Sequence, residues 1–247
     1  MHAEVNPSLK RLGVSSSLLA LLSACGGGGG YAGSASPPPP PPPPPPLACV
    51  VTESPPAPAP GMLPPQVTLT IDNGSGVSGS LVVTLDPGRA PLTVANFLGS
   101  VNAGFYNCTV FHRHGRTATL DTFVLQGGGY AGPVSSTARF PAPKPTNPPI
   151  PLEVGRGLSN LRYSLAMART DILNSATSEF FINTTDNAFL DTSGGGYAVF
   201  GNITAGSAVV NAMVASTCNF SSINFALGSN DCVPEPNLYI IRAVQTR

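Results

Sequence analysis

From Gln66 onward, apolar and polar side chains alternate with a period of two, the pattern of a strand with one buried face. VTLTI at 67–71 and SLVVTL at 80–85 fit it, and the Gly/Ser/Asn stretch between them predicts a hairpin. Over 91–103 the period changes: Val94, Phe97, Leu98 and Val101 recur at i, i+3, i+4 and i+7, one stripe of a helix. Pro91 carries the fixed φ of a first helical turn, and Gly104 suits the residue that ends one. Further short strands are expected at 110–112, 123–126, 164–168, 179–183, 198–203 and 238–244, with a second helix at 207–215 carrying Val209, Val210 and Met213. Eight short strands and two helices without repeated strand–helix alternation argue against a doubly wound α/β sheet. They predict a mainly β fold, a closed eight-stranded antiparallel β-barrel capped by two α-helices, because closure removes exposed sheet edges. The pattern alone also admits a sandwich.

Residues 1–65 are a different polymer. They hold 17 of the 28 prolines and eight of the 27 glycines, but none of the eleven phenylalanines. The body at 66–247 is therefore the one segment able to bury a core. Lys10 and Arg11, the apolar stretch 12–22 and the small residues after it read as an export signal. LSAC at 22–25 resembles the lipobox of bacterial lipoproteins, which implies a signal peptide over 1–24 and lipidation of Cys25; a plain secretory signal is the other reading. Residues 25–65 then read as a Gly/Pro-rich disordered tether. Its ten-proline run at 37–46 forms a polyproline II rod of roughly 31 Å at ~3.1 Å per residue, a spacer or a ligand for a proline-recognition module. The expected location is the bacterial cell envelope, the domain facing the periplasm or exterior, with membrane contact only through a lipid at Cys25.

Twelve basic residues balance twelve acidic ones and only 10% of residues are charged, so the basic face that nucleic-acid binding requires is missing. No apolar run approaches the ~20 residues of a membrane-spanning helix. With Cys25 set aside, Cys49, Cys108, Cys218 and Cys232 allow three disulfide pairings; Cys218 and Cys232, flanking one polar loop, are the best local pair. His112 and His114 could share a strand face and bind a metal, but no third ligand lies at a helpful spacing and both read as structural. There is no CxxC, Gly-x-Ser-x-Gly elbow, phosphate loop or HExxH, so neither metal nor cofactor is expected.

What remains is a set of aromatic, apolar and amide residues around one arginine. APLTVANF at 90–97, GFY at 104–106, FHR at 111–113, FVLQGG at 123–128, SLAMAR at 164–169, NSATSEFFIN at 174–183, FLD at 189–191 and YAVFG at 197–201 stand in the order found in the cyclophilin family. The resemblance covers nearly all of 66–247, and PTNPPIP at 145–151 is similar to a proline-rich loop of bacterial members. It implies a peptidyl-prolyl cis-trans isomerase that needs no cofactor, a monomer acting on proline-containing polypeptide clients. Arg113 matches the catalytic arginine. Phe123, Val124, Phe181 and Leu190 match the proline pocket, with Val124 where methionine is more usual. Gln126 matches the glutamine that helps place the substrate backbone, and Ala168 and Arg169 the strand along which the peptide lies. Phe189 and Tyr197 occupy places where other members have tryptophan and histidine.

Two departures from the family stand out. The stretch 114–122 carries five extra residues beside the active face, an innocuous turn or a restriction on long peptides. Glu179 replaces a glutamine. It either points outward or reaches Arg113, occupying the guanidinium, because an ionised carboxylate only accepts hydrogen bonds. These departures motivate a rival reading, a module that binds proline-containing segments or acts as a chaperone without catalysis; a third is a scaffold on the cell surface.

Overall fold

The structure, a computed structural model, describes residues 63–221 and 230–247. The signal at 1–24, Cys25, the glycine and proline runs of the tether and Cys49 lie outside the described residues. Among those described, the strands are β1 (Gln66–Asp72), β2 (Ser78–Leu85), β3 (Thr109–Arg116), β4 (Thr122–Ala131), β5 (Ser164–Met167), β6 (Phe180–Asn183), β7 (Val199–Ala205), β8 (Cys218–Phe220), β9 (Cys232–Pro234) and β10 (Leu238–Gln245). Two α-helices join them, α1 (Pro91–Asn102) and α2 (Ser207–Ala215).

All strand pairings are antiparallel. Eight strands run in the order β10-β1-β2-β7-β5-β6-β4-β3, and β10 pairs again with β3, Leu238 opposite Phe111 and Ile240 opposite Thr109. That last pairing closes the barrel and excludes the sandwich. The hairpin β8–β9 was not legible in the sequence; it hangs on β3 through the pairing of His114 with Cys232. Cys218 and Cys232 form its disulfide, and Cys108 is disulfide-bonded as well.

The barrel is filled, not hollow. Phe97 of α1 sits at ring-centroid distances of 5.2, 5.5 and 5.0 Å from Tyr106, Phe180 and Phe200, and Phe180 is 5.8 Å from Phe111. Val94 and Val101 of α1 and Val210 and Met213 of α2 join this core. Tyr106 keeps its buried hydroxyl satisfied by donating to the carbonyl of Ser178 at 2.8 Å. Gly128, at φ +85, is required here, since a Cβ would stand 2.9 Å from the Tyr106 ring. Helix α1 has no side-chain cap at Ala90. Instead the buried carboxylate of Glu153, sixty positions away, accepts from the Thr93 amide at 2.8 Å and the Thr93 hydroxyl at 2.9 Å.

Strand pleating decides what faces the cleft. Leu125 of β4, Phe180 and Ile182 of β6, and Leu165 and Met167 of β5 belong to the barrel core, whereas Val124, Phe181, Ala166 and Ala168 cluster apart from it. Strand β3 needs an extra device. Phe111 lies opposite Gly127 but Arg113 lies opposite Gln126, two steps along β3 for one along β4. This bulge at His112 turns Arg113 away from the core that Phe111 fills.

Candidate active site

One cleft of about 260 Å³ is lined by Arg113, Phe123, Val124, Gln126, Ala168, Arg169, Phe181, Leu190 and Tyr197. These are nine of the eleven residues singled out from the sequence for catalysis and substrate binding. Phe189 stands on the rim, 57% exposed, with its ring 6.1 Å from that of Phe123. Glu179 stands behind Gln126.

The apolar wall is pinned from behind. Asn187 Nδ2 donates to the Phe123 carbonyl at 2.8 Å and to Asn183 Oδ1 at 2.8 Å. Leu190 sits in a short 3-10 turn, Ala188–Asp191, whose last residue holds the neighbouring loop. The Asp191 carboxylate accepts from the amide and the side chain of Asn160, both at 2.8 Å, and from the Ser159 hydroxyl. Burial pushes its pKa up, but these hydrogen bonds outweigh burial and leave it below the usual carboxylate range. Arg169 lies with its guanidinium 4.7 Å from the Tyr197 ring centroid and donates to the carbonyls of Gly194, Gly196 and Thr170. It holds the loop at 193–196.

Arg113 is held differently. Its Nη1 donates to Gln126 Oε1 at 2.6 Å and its Nε to Asp231 Oδ2, also at 2.6 Å. Asp231 is only 3% exposed, and no sequence pattern pointed to it. The third nitrogen, Nη2, makes no hydrogen bond among the described residues. It lies beside Gly115, where a Cβ would stand 3.2 Å from Nη2 and 2.6 Å from Val124 Cγ2, so the missing side chain leaves room for the guanidinium at the apolar wall.

Glu179 neither points outward nor reaches Arg113. Its Oε2 accepts from Gln126 Nε2 at 2.7 Å, so it is linked to Arg113 through Gln126. Because a carboxylate can only accept, it fixes the orientation of the Gln126 amide, NH2 toward Glu179 and oxygen toward Arg113. Burial raises the Glu179 pKa, partly opposed by the Gln126 hydrogen bond and the charge of Arg113. Burial thus costs the charged carboxylate more in the folded chain than in the unfolded one. Glu179→Gln is expected to raise the melting temperature at pH 7, and the difference should vanish as pH falls below the unfolded carboxylate range and both chains become neutral there. Equal melting curves at pH 7 would contradict this.

The two histidines do not form a pair. His112 packs its ring 4.7 Å from Tyr130 and 5.8 Å from Phe140, with Nε2 3.5 Å from Glu179. Burial lowers its pKa to about 3 and the neighbouring Arg113 adds to the effect, so at neutral pH the Glu179 contact is no ion pair. His114 lies within 4.8 Å of the sulfurs of Cys218 and Cys232, a third-ligand geometry invisible in the sequence, but these sulfurs are bonded to each other. The five extra residues end as a tight turn. β3 runs on to Arg116, opposite Thr122, and the Thr117 amide donates to the Asp121 carbonyl at 3.0 Å.

A closed barrel with a packed interior, carrying an arginine over an apolar cleft on its outer face, defines a class, and the comparisons give it a name. The family described as cyclophilin type peptidyl-prolyl cis-trans isomerase/CLD matches residues 67–241. Peptidyl-prolyl cis-trans isomerase A of Dickeya dadantii is 44% identical over 136 residues, 54% of this chain and 65% of that protein. Peptidyl-prolyl cis-trans isomerase B of Escherichia coli is 37% identical over 162 residues, 64% of this chain and 92% of that protein. Among solved structures, a cyclophilin type isomerase of Cryptosporidium parvum, crystallised in the presence of the dipeptide Ala-Pro, superposes with a TM-score of 0.54 at 21% identity, covering 74% of this chain and 99% of that one. The chain belongs to the cyclophilin-type peptidyl-prolyl cis-trans isomerases.

Proposed function

We propose that this chain accelerates rotation about X–Pro bonds in exported, unfolded or flexible polypeptides, with Arg113 as the catalytic group. The observation that carries this reading is the guanidinium itself, fixed at two nitrogens while Nη2, without a hydrogen bond among the described residues, stands beside an apolar cleft. The barrier to rotation, about 20 kcal/mol, comes from amide conjugation. Twisting the bond localises the lone pair on nitrogen, which becomes pyramidal and basic. A permanently charged donor placed there stabilises the twisted state more than the planar one. Phe123, Val124, Phe181 and Leu190 grip the proline ring and exclude water, which strengthens that donor. Gln126 and Ala168 place the peptide backbone. No bond is broken, so the chemistry calls for no nucleophile and no metal. The Cryptosporidium parvum isomerase crystallised with Ala-Pro supports a proline-containing ligand for this cleft. The signal-like stretch at 1–24 and the LSAC sequence ending at Cys25 support a lipid anchor at the cell envelope.

The test is an exchange NMR or protease-coupled assay of the full chain on an Ala-Pro peptide, combined with mass spectrometry of the mature N-terminus. Faster cis–trans exchange and a diacylated Cys25 are expected. Exchange equal to the buffer blank with peptide binding retained would instead give the non-catalytic module, and an unmodified Cys25 would reject the anchor.

A further inference from the structure

We propose that Asp231 is the positioning residue for the Arg113 guanidinium, and that the Cys218–Cys232 hairpin is the mount that puts it there. An arginine ends a long, freely rotating stem, and a transition-state donor is effective only when held in place before the reaction. The hydrogen bond to Gln126 fixes one end nitrogen and leaves the guanidinium able to swing about that contact. A second anchor at Nε removes this freedom, and Asp231 Oδ2 supplies it at 2.6 Å. The carboxylate is itself held at both oxygens, because Oδ1 accepts from the Arg116 amide at 3.0 Å. With 3% of its side chain exposed, Asp231 is shielded from the water that would weaken the pair.

The place of Asp231 follows from its neighbour. Cys232 opens β9, pairs with His114 on β3 one residue beyond Arg113, and is joined to Cys218 of β8. β8 contributes little packing of its own: Asn219 and Phe220 are exposed, Phe220 to 60%. Three ladder pairs and the disulfide tie β8 to β9, and β9 is seated on the barrel by the buried Cys232 and by Val233, which clusters with Val110, Val134 and Tyr239, so that its start carries Asp231 to the guanidinium.

The inference rests on Arg113 as the catalytic group, and the experiment separates the two. In the full chain, Asp231→Ala is expected to lower kcat/KM on an X–Pro peptide by on the order of 10- to 100-fold, through kcat with KM unchanged. Asp231→Asn, which keeps an acceptor without the charge, should recover part of the loss. Cys218→Ser/Cys232→Ser leaves Cys108 untouched and should reproduce part of the loss, because packing of Val233 still holds β9. Adding Asp231→Ala to it should bring the loss to that of Asp231→Ala alone and no further, because both changes act on the same anchor. A merely structural role would not move the 15N NMR signal of Arg113 Nε–H, which should be slow to exchange in the parent and lose that protection in Asp231→Ala. Activity within twofold of the parent overturns the proposal. So does increased activity, which would make Asp231 a brake, an unmoved Nε–H signal, or additive losses in the triple variant. Arg113→Ala run in parallel tells the readings apart: if it is silent, Arg113 is not the catalytic group, whereas a silent Asp231→Ala beside a disabled Arg113→Ala rejects only the positioning role.

Discussion

Arg113→Ala should lower kcat/KM on an X–Pro peptide by on the order of 100- to 1000-fold, the loss typical of removing one preorganised donor from a transition state. Peptide affinity should fall far less, since the apolar wall of Phe123, Val124, Phe181 and Leu190 remains. Arg113→Lys should fail almost as badly. An ammonium is a single point donor and cannot serve Asp231, Gln126 and substrate from one planar fork. The Arg113→Ala chain should also be less stable, by about 1–3 kcal/mol, because the buried Asp231 carboxylate loses its charged hydrogen-bond donor. Arg113→Ala/Asp231→Asn should regain stability without regaining activity. Calorimetry and exchange NMR on the same samples measure both effects, and full activity in Arg113→Ala would mean that the reaction runs through another group.

The second large effect is acid sensitivity of the fold. Burial lowers the pKa of His112 to about 3 and of His114 to about 4, while in the unfolded chain both titrate near 6.5. Above pH 6.5 both states are neutral at these positions and the histidines contribute their full share of stability. As pH falls below 6.5 the unfolded chain takes up protons that the folded chain refuses, and stability is lost progressively down to about pH 4 for His114 and about pH 3 for His112. Each histidine can contribute about 1 kcal/mol per pH unit in that window, so two units of acidification remove several kcal/mol from a domain whose total is roughly 5–15 kcal/mol. Glu179 works in the opposite sense, since its raised pKa relieves a burial cost as it protonates. The melting temperature should therefore drop steeply between pH 6.5 and 4.5, and His112→Gln/His114→Gln should flatten the slope. A melting temperature constant across that interval in the parent chain would rule this out.

Which of these features were legible beforehand depends on the range of the interaction. Period-two alternation announced β1 and β2, and the stripe of Val94, Phe97 and Val101 announced α1, because each pattern is local. β3 ran four residues past its expected end because the bulge at His112 breaks the alternation that would have revealed it. β8 and β9 are three residues each and rich in polar neighbours, too short to carry a period. The cleft-lining residues were legible through their ordered motifs and not through their chemistry, since nothing in an isolated Ala168 or Leu190 suggests a site. Glu153 and Asp231 were missed for one shared reason. Their partners stand 60 and 118 positions away in the chain, where only closure of the barrel brings them together.

The pleat of β6 sets Phe180 and Phe181 back to back, one in the core and one in the cleft. The same division recurs at Leu165 and Ala166, and at Leu125 and Val124. Heritable change at Phe181, Ala166 and Val124 can thus proceed on one parity of these strands while Phe180, Leu165 and Leu125, which keep the chain folded, occupy the other. Altered ligand preference and retained fold become nearly independent traits. A substitution that serves one need not be compensated in the other, and the barrel can explore new clients without first finding a new core.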